Sequence, residues 1–65
     1  MNITVNGEVI CFEGGSIELL LKQRENNIKT TIVELNGNIV PSSDFAITEL
    51  TDGDILELVQ FVGGG

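Results

Sequence analysis

Ile55-Leu56-Glu57-Leu58-Val59-Gln60-Phe61-Val62, running directly into Gly63-Gly64-Gly65, is the stretch whose reading decides the fold. It is the longest apolar run in the chain. A nearly continuous apolar strand is the mark of a central strand buried on both faces, as parallel strands are. Asp52-Gly53-Asp54 in front of it reads as a turn; the acidic residues suggest a calcium loop, but the spaced ligands and closing Glu of such a loop are missing. The glycines behind it have no Cβ and add nothing to a core. They read as a flexible tail, residues 63–65, that carries a free carboxylate on a wire of roughly 10 Å when extended. Such a tail is either a frayed end or a wire that threads a narrow channel into another protein's active site.

A strand of this kind needs neighbours. Residues 1–12 supply a hairpin, because Ile3 and Val5 alternate with Asn2, Thr4 and Asn6. Asn6-Gly7 suits a type I′ turn, in which both central residues take φ > 0. A two-residue loop sets Val5 opposite Glu8, Ile3 opposite Ile10 and Met1 opposite Phe12. Met1, Ile3, Val5, Ile10 and Phe12 then share one face, with Val9 and Cys11 on the other.

Gly14-Gly15 breaks the strand and Ser16 is a good helix N-cap. Ile17, Leu20 and Leu21 follow at i, i+3 and i+4, with Glu18 in the first turn where the helix dipole favours it. Arg24 and Ile28 extend this stripe, Arg24 laying its stem along the core edge, and the helix is expected to end between residues 25 and 27. Leu19 lies nearly opposite the stripe, either as a stray surface Leu or as part of a contact. Residues 30–35 form a β-branched strand, Asn36-Gly37 turns it, and Ile39-Val40 makes a short strand that Pro41 stops. Residues 42–50 connect, with room for one helical turn and with Phe45 and Leu50 as anchors.

The order is ββαβ(β)β, an α+β fold. A mixed sheet of four to five strands carries one main helix on one face, the last strand lying centrally and parallel to the first. Residues 1–62 form the domain. Leu56 and Leu58 face the helix, which turns Ile55, Glu57, Val59 and Phe61 to the other side beside Val9 and Cys11. That face is either an apolar partner site or is covered in part by the loop around Phe45.

Sixty-five residues allow one marginal domain. No run of about 18 apolar residues is present, so a membrane helix is not expected, nor does the N-terminus read as a signal peptide. Cys11 is the one cysteine and there is no His. This excludes an internal disulfide and fits a reducing, cytoplasmic setting. It also excludes zinc-finger chemistry and Ser-His or Cys-His nucleophile pairs. Three basic against ten acidic residues give a net charge of −7. Nucleic acid, which is bound through Lys and Arg, is not an expected partner, whereas a protein with a basic docking face is. The charge equally serves solubility. A reactive thiol at Cys11 would need a nearby cation or helix N-terminus, and its neighbours Phe12 and Glu13 offer neither, so it reads as inert.

The hairpin, the helix after Gly14-Gly15-Ser16, the stretch Leu35-Asn36-Gly37-Asn38-Ile39-Val40-Pro41, the turn Asp52-Gly53-Asp54 and the strand entering Gly-Gly-Gly together resemble the ThiS family. Its members are the β-grasp (ubiquitin-like) sulfur carriers of thiamin thiazole biosynthesis. The resemblance covers the whole chain. Ser42 and Phe45 stand where such chains often have a basic residue and Trp, and Arg24 where a helix Leu is common. MoaD, the small subunit of molybdopterin synthase, shares the fold and terminal Gly-Gly but is usually longer.

The resemblance implies a protein co-substrate, not an enzyme, with no cofactor of its own. The Gly65 carboxylate would be adenylated by a ThiF-like adenylyltransferase using ATP and magnesium. A cysteine desulfurase would supply persulfide sulfur, leaving a thiocarboxylate that serves thiazole synthase. Gly63 and Gly64 would let the backbone pass a tight channel, and Glu57, Val59 and Phe61 would form the docking surface. A MoaD-like sulfur carrier for molybdopterin synthesis, a ubiquitin-like modifier and an interaction module with an inert tail are the competing readings.

Overall fold

Two Asn-Gly turns organise the sheet. In the computed structural model, which describes residues 1–62, Asn6 and Gly7 take φ of 52° and 82°, and Asn36 and Gly37 take 49° and 89°. These are the left-handed pairs a type I′ turn requires. The first joins β1 (Asn2–Val5) to β2 (Glu8–Cys11). Ile3 faces Ile10, Val5 faces Glu8, and Met1 and Phe12 exchange backbone hydrogen bonds, the register expected from the loop length. The second joins β3 (Thr31–Leu35) to β4 (Asn38–Val40).

β5 (Ile55–Gln60) lies between the hairpins, parallel to β1 and antiparallel to β3, in a five-stranded sheet ordered β2-β1-β5-β3-β4. The fold is the expected α+β β-grasp, with α1 (Ile17–Gln23) across one face. Ser16 Oγ accepts the Leu19 amide at 3.2 Å and so caps the helix. Ile17, Leu20 and Leu21 are buried with Ile3, Val5, Phe12, Val33, Phe45, Leu50, Leu56 and Leu58 in a single core.

The helix is shorter than expected. It ends at Gln23 with Arg24 as C-cap, and Glu25 turns left-handed at φ 59°. The Asn26 amide donates to Leu21 O and the Glu25 amide to Lys22 O, which closes a Schellman motif. Local backbone geometry thus stops the helix before the apolar stripe runs out. Arg24 is exposed rather than laid along the core, while Ile28 still packs against it. Leu19 is a surface Leu, 39% exposed, whose side chain lies close to Gly15: a Cβ there would come within 2.6 Å of Leu19 Cδ2.

β3 starts at Thr31, one residue later than the sequence suggested, because the Thr30 amide closes a turn onto Asn27 O. β4 includes Asn38. β5 ends at Gln60 instead of continuing to residue 62. Its apolar run does not reflect burial on two faces. Leu56 and Leu58 are buried, while Ile55 and Val59 are more than half exposed.

Residues 41–54 carry one 3₁₀ turn, Ser42–Asp44, and pack against the start of α1. The amides of Ile17 and Glu18 donate to Thr48 O and Phe45 O, and Leu50 N donates to Gly15 O. Phe45 is therefore a core anchor on the helix side and does not cover the opposite face of the sheet.

Candidate functional site

The face of the sheet away from α1 is built by period-two alternation. Register sets Ile32 directly opposite Val59 and Glu34 directly opposite Glu57, with Ile39 on the far side of Glu34. Thr4 lies between Val9 and Ile55. Val59 is 57% exposed and Phe61 45%, and Ile32, Ile39, Val9 and Ile55 are exposed as well. Glu57, Val59 and Phe61 thus lie on an open surface, and Val9 and Cys11 border it from the edge strand.

Glu34 and Glu57 give this surface its charge. Residues directly opposite across an antiparallel pair have Cβ atoms about 5 Å apart, and like charges there are unfavourable. The chain's cations, Lys22, Arg24 and Lys29, belong to α1 and the loop after it. An apolar strip crossed by a carboxylate pair suits a partner that brings its own apolar contacts and a cation. Ile32, Glu34 and Ile39 were not singled out from sequence. The β-branched run 31–35 carries an out-of-phase Ile and Glu, and that alternation is the signal that could have found them.

β5 delivers its end to solvent from a firmly held base. Its first residues are fixed by the turn before it: Asp54 accepts from the Thr51 amide at 2.8 Å, the Thr51 hydroxyl at 3.1 Å and Asn36 Nδ2 at 3.0 Å. Partial burial pulls the Asp54 carboxyl upward, but these bonds outweigh it and hold the group below the usual aspartate value. Asp52 Oδ1 accepts the Asn2 amide at 2.7 Å, so both acids of this turn serve the turn itself. At the other end Thr31 pairs with Gln60, Asn26 Nδ2 donates to Gln60 Oε1 at 2.9 Å, and the Phe61 amide donates to Thr30 O at 3.0 Å. Gly63, Gly64 and Gly65, the expected threading and reactive residues, lie outside the described residues.

The ThiS family model matches residues 2–65, which takes in every element above and the glycines. The chain belongs to the ThiS family. The sulfur carrier protein ThiS of Bacillus subtilis is 41% identical over 51 residues, covering 78% of this chain and 77% of that one. A thiazole synthase of Paramagnetospirillum magneticum is 39% identical over 66 residues. That match covers all of this chain, which spans only 20% of the synthase's length. The crystal structure of the thiamine biosynthesis protein ThiS from Geobacter metallireducens superposes with a TM-score of 0.84 at 33% identity, both chains covered in full. The β-grasp assignment therefore stands on a solved ThiS structure as well as on this chain's own topology.

Among the described residues, no group of three or more His, Cys, Asp or Glu side chains could hold a metal ion, and no helix is long and apolar enough to cross a membrane.

Proposed function

We propose that this chain is a sulfur carrier of thiamin thiazole synthesis, reactive at the carboxylate of Gly65. A ThiF-like adenylyltransferase, using ATP and magnesium, joins that carboxylate to AMP and releases pyrophosphate. Persulfide sulfur from a cysteine desulfurase attacks the activated carbonyl and expels AMP. A thiolate then cleaves the resulting sulfur–sulfur bond and leaves the thiocarboxylate, whose sulfur passes to thiazole synthase. ATP, magnesium and the catalytic groups belong to the partners. A cytoplasmic setting, where ATP and reduced sulfur are both at hand, suits this chemistry.

The observation that carries this reading is the ThiS family match running through Gly65. Its chemistry is sound at a glycine, because an acyl carbon without a side chain beside it is open to both attacks, and Gly63 and Gly64 let the backbone enter a channel too tight for a Cβ. The likeness to part of a thiazole synthase supports that enzyme as the acceptor. The exposed strip of Glu57, Val59, Phe61 and Ile32 is the surface on which the adenylyltransferase docks. A variant extended beyond Gly65 tests the reading: it should fail to restore thiamin-independent growth to a carrier-deficient strain that the unextended chain rescues. Rescue by the extended variant would refute it.

A further inference from the structure

Every Lys and Arg of this acidic chain falls within residues 22–29, as Lys22, Arg24 and Lys29, in company with one acid, Glu25. Lys22 is held by Glu18 at 3.5 Å, the i,i+4 pair of α1. Arg24 and Lys29 are exposed and make no ion pair among the described residues.

This segment holds the end of β5 and the residue after it through two hydrogen bonds. Asn26, two residues beyond Arg24, donates to Gln60 at 2.9 Å. Thr30, the residue after Lys29, accepts the Phe61 amide at 3.0 Å. The same turn breaks several local rules at once. Glu25 occupies a left-handed position that glycine normally fills, and it places a carboxylate at the helix end that favours cations. Asn26 Oδ1 is buried without a hydrogen-bond partner among the described residues. Local costs gathered in one turn point to a functional position.

We propose that the loop between α1 and β3 is a second contact surface, on which Arg24 and Lys29 engage an acidic rim around the channel that admits the C-terminal segment. The occupant is a protein surface bearing Asp or Glu. The loop's cations complement it, and its hydrogen bonds to Gln60 and Phe61 hold them in a fixed relation to the departing chain. This surface is distinct from the acidic, apolar strip on the outer face, so the two together fix the orientation of the docked carrier. The proposal rests on the carrier reading above.

The test is adenylation of the full chain by a ThiF-like adenylyltransferase, followed by ATP–pyrophosphate exchange at several salt concentrations. Neutralising both cations (Arg24→Ala with Lys29→Ala) should raise KM roughly tenfold, leave kcat unchanged and flatten the salt dependence, as loss of rim charges does. The charge-conserving pair Arg24→Lys with Lys29→Arg should recover most of the affinity, which a merely misfolded loop would not allow. An unchanged KM and salt slope for the neutralised protein, with the wild type turned over normally, overturns the inference. Absence of any exchange with the wild type overturns the carrier reading itself and this proposal with it.

Discussion

Asn6 Oδ1 accepts the backbone amide of Leu58 at 2.7 Å, a hydrogen bond between residues 52 apart in the chain. Its counterpart lies on the opposite flank of β5, where Asn36 Oδ1 accepts the Ile55 amide at 2.9 Å. The Asn6 amide donates to Leu56 O and the Asn36 amide to Ile55 O. Each Asn-Gly turn therefore does two things: it reverses its own hairpin, and it uses the asparagine to fasten the central strand. The strand that precedes the C-terminal residues is held by side chains from both sides.

Replacing Asn6 should expose both functions. Asn6→Gly keeps the left-handed backbone but leaves a part-buried amide unpaired, which should cost about 1–3 kcal/mol. Asn6→Ala should cost about 1 kcal/mol more, since it adds the left-handed penalty. Urea denaturation of the two variants checks both values, and equal stability of Gly and Ala at this position would contradict the backbone part.

Glu25 is the position where the fold gains from a simplification. Glu25→Gly relieves the left-handed strain at the helix end, offset in part by the greater freedom of glycine in the unfolded chain. A net stabilisation of about 0.5–1 kcal/mol is expected in the same assay. A destabilised variant would mean that the carboxylate contributes to the folded state.

Asp54 sets an acid limit. Its carboxyl lies below the ordinary value of 3.8 in the folded protein. The stability it contributes is therefore fully present above that ordinary value and is lost as pH falls through the lower folded value. Asp54→Asn should remove this component of the acid dependence below about pH 4 while lowering stability at neutral pH. Denaturation midpoints of wild type and variant, followed from neutral to strongly acid pH, should converge. Parallel curves would show that Asp54 is not the group responsible.

The core and the terminal glycines should separate in a melting experiment. Leu56→Ala, at a fully buried residue of the central strand, should lose about 2–5 kcal/mol. Removing Gly64 and Gly65 should leave the melting temperature almost unchanged, because the core is complete within residues 3–58. A large drop in the truncated protein would contradict the picture of a self-sufficient domain carrying a reactive end.

Much of this was legible in the residues. Asn6-Gly7 fixed the first hairpin because a two-residue type I′ loop leaves one register, and Ser16 with Ile17, Leu20 and Leu21 fixed the start and buried face of the helix. The end of the helix was not legible. A left-handed Glu25 carries no signal of the kind glycine gives, and Ile28 continues the apolar spacing from outside the helix. β5 misled in part: its alternation set Leu56 and Leu58 toward the helix and Val59 away from it, as found, but the continuous apolar run suggested burial on both faces and a strand reaching residue 62. The paired Glu34 and Glu57 and the Asn26–Gln60 contact depend on register between distant segments, which no local pattern reveals.

The account's central claim is that Gly65 is the reacting end. Intact mass spectrometry of the full chain after incubation with ATP, magnesium, a ThiF-like adenylyltransferase, a cysteine desulfurase, cysteine and a reducing thiol tests it most directly. The account predicts a mass gain equal to one oxygen exchanged for sulfur, localised to the C-terminal peptide. An unchanged mass, with the same enzymes active on an established carrier, or a covalent conjugate to another protein in its place, would contradict it.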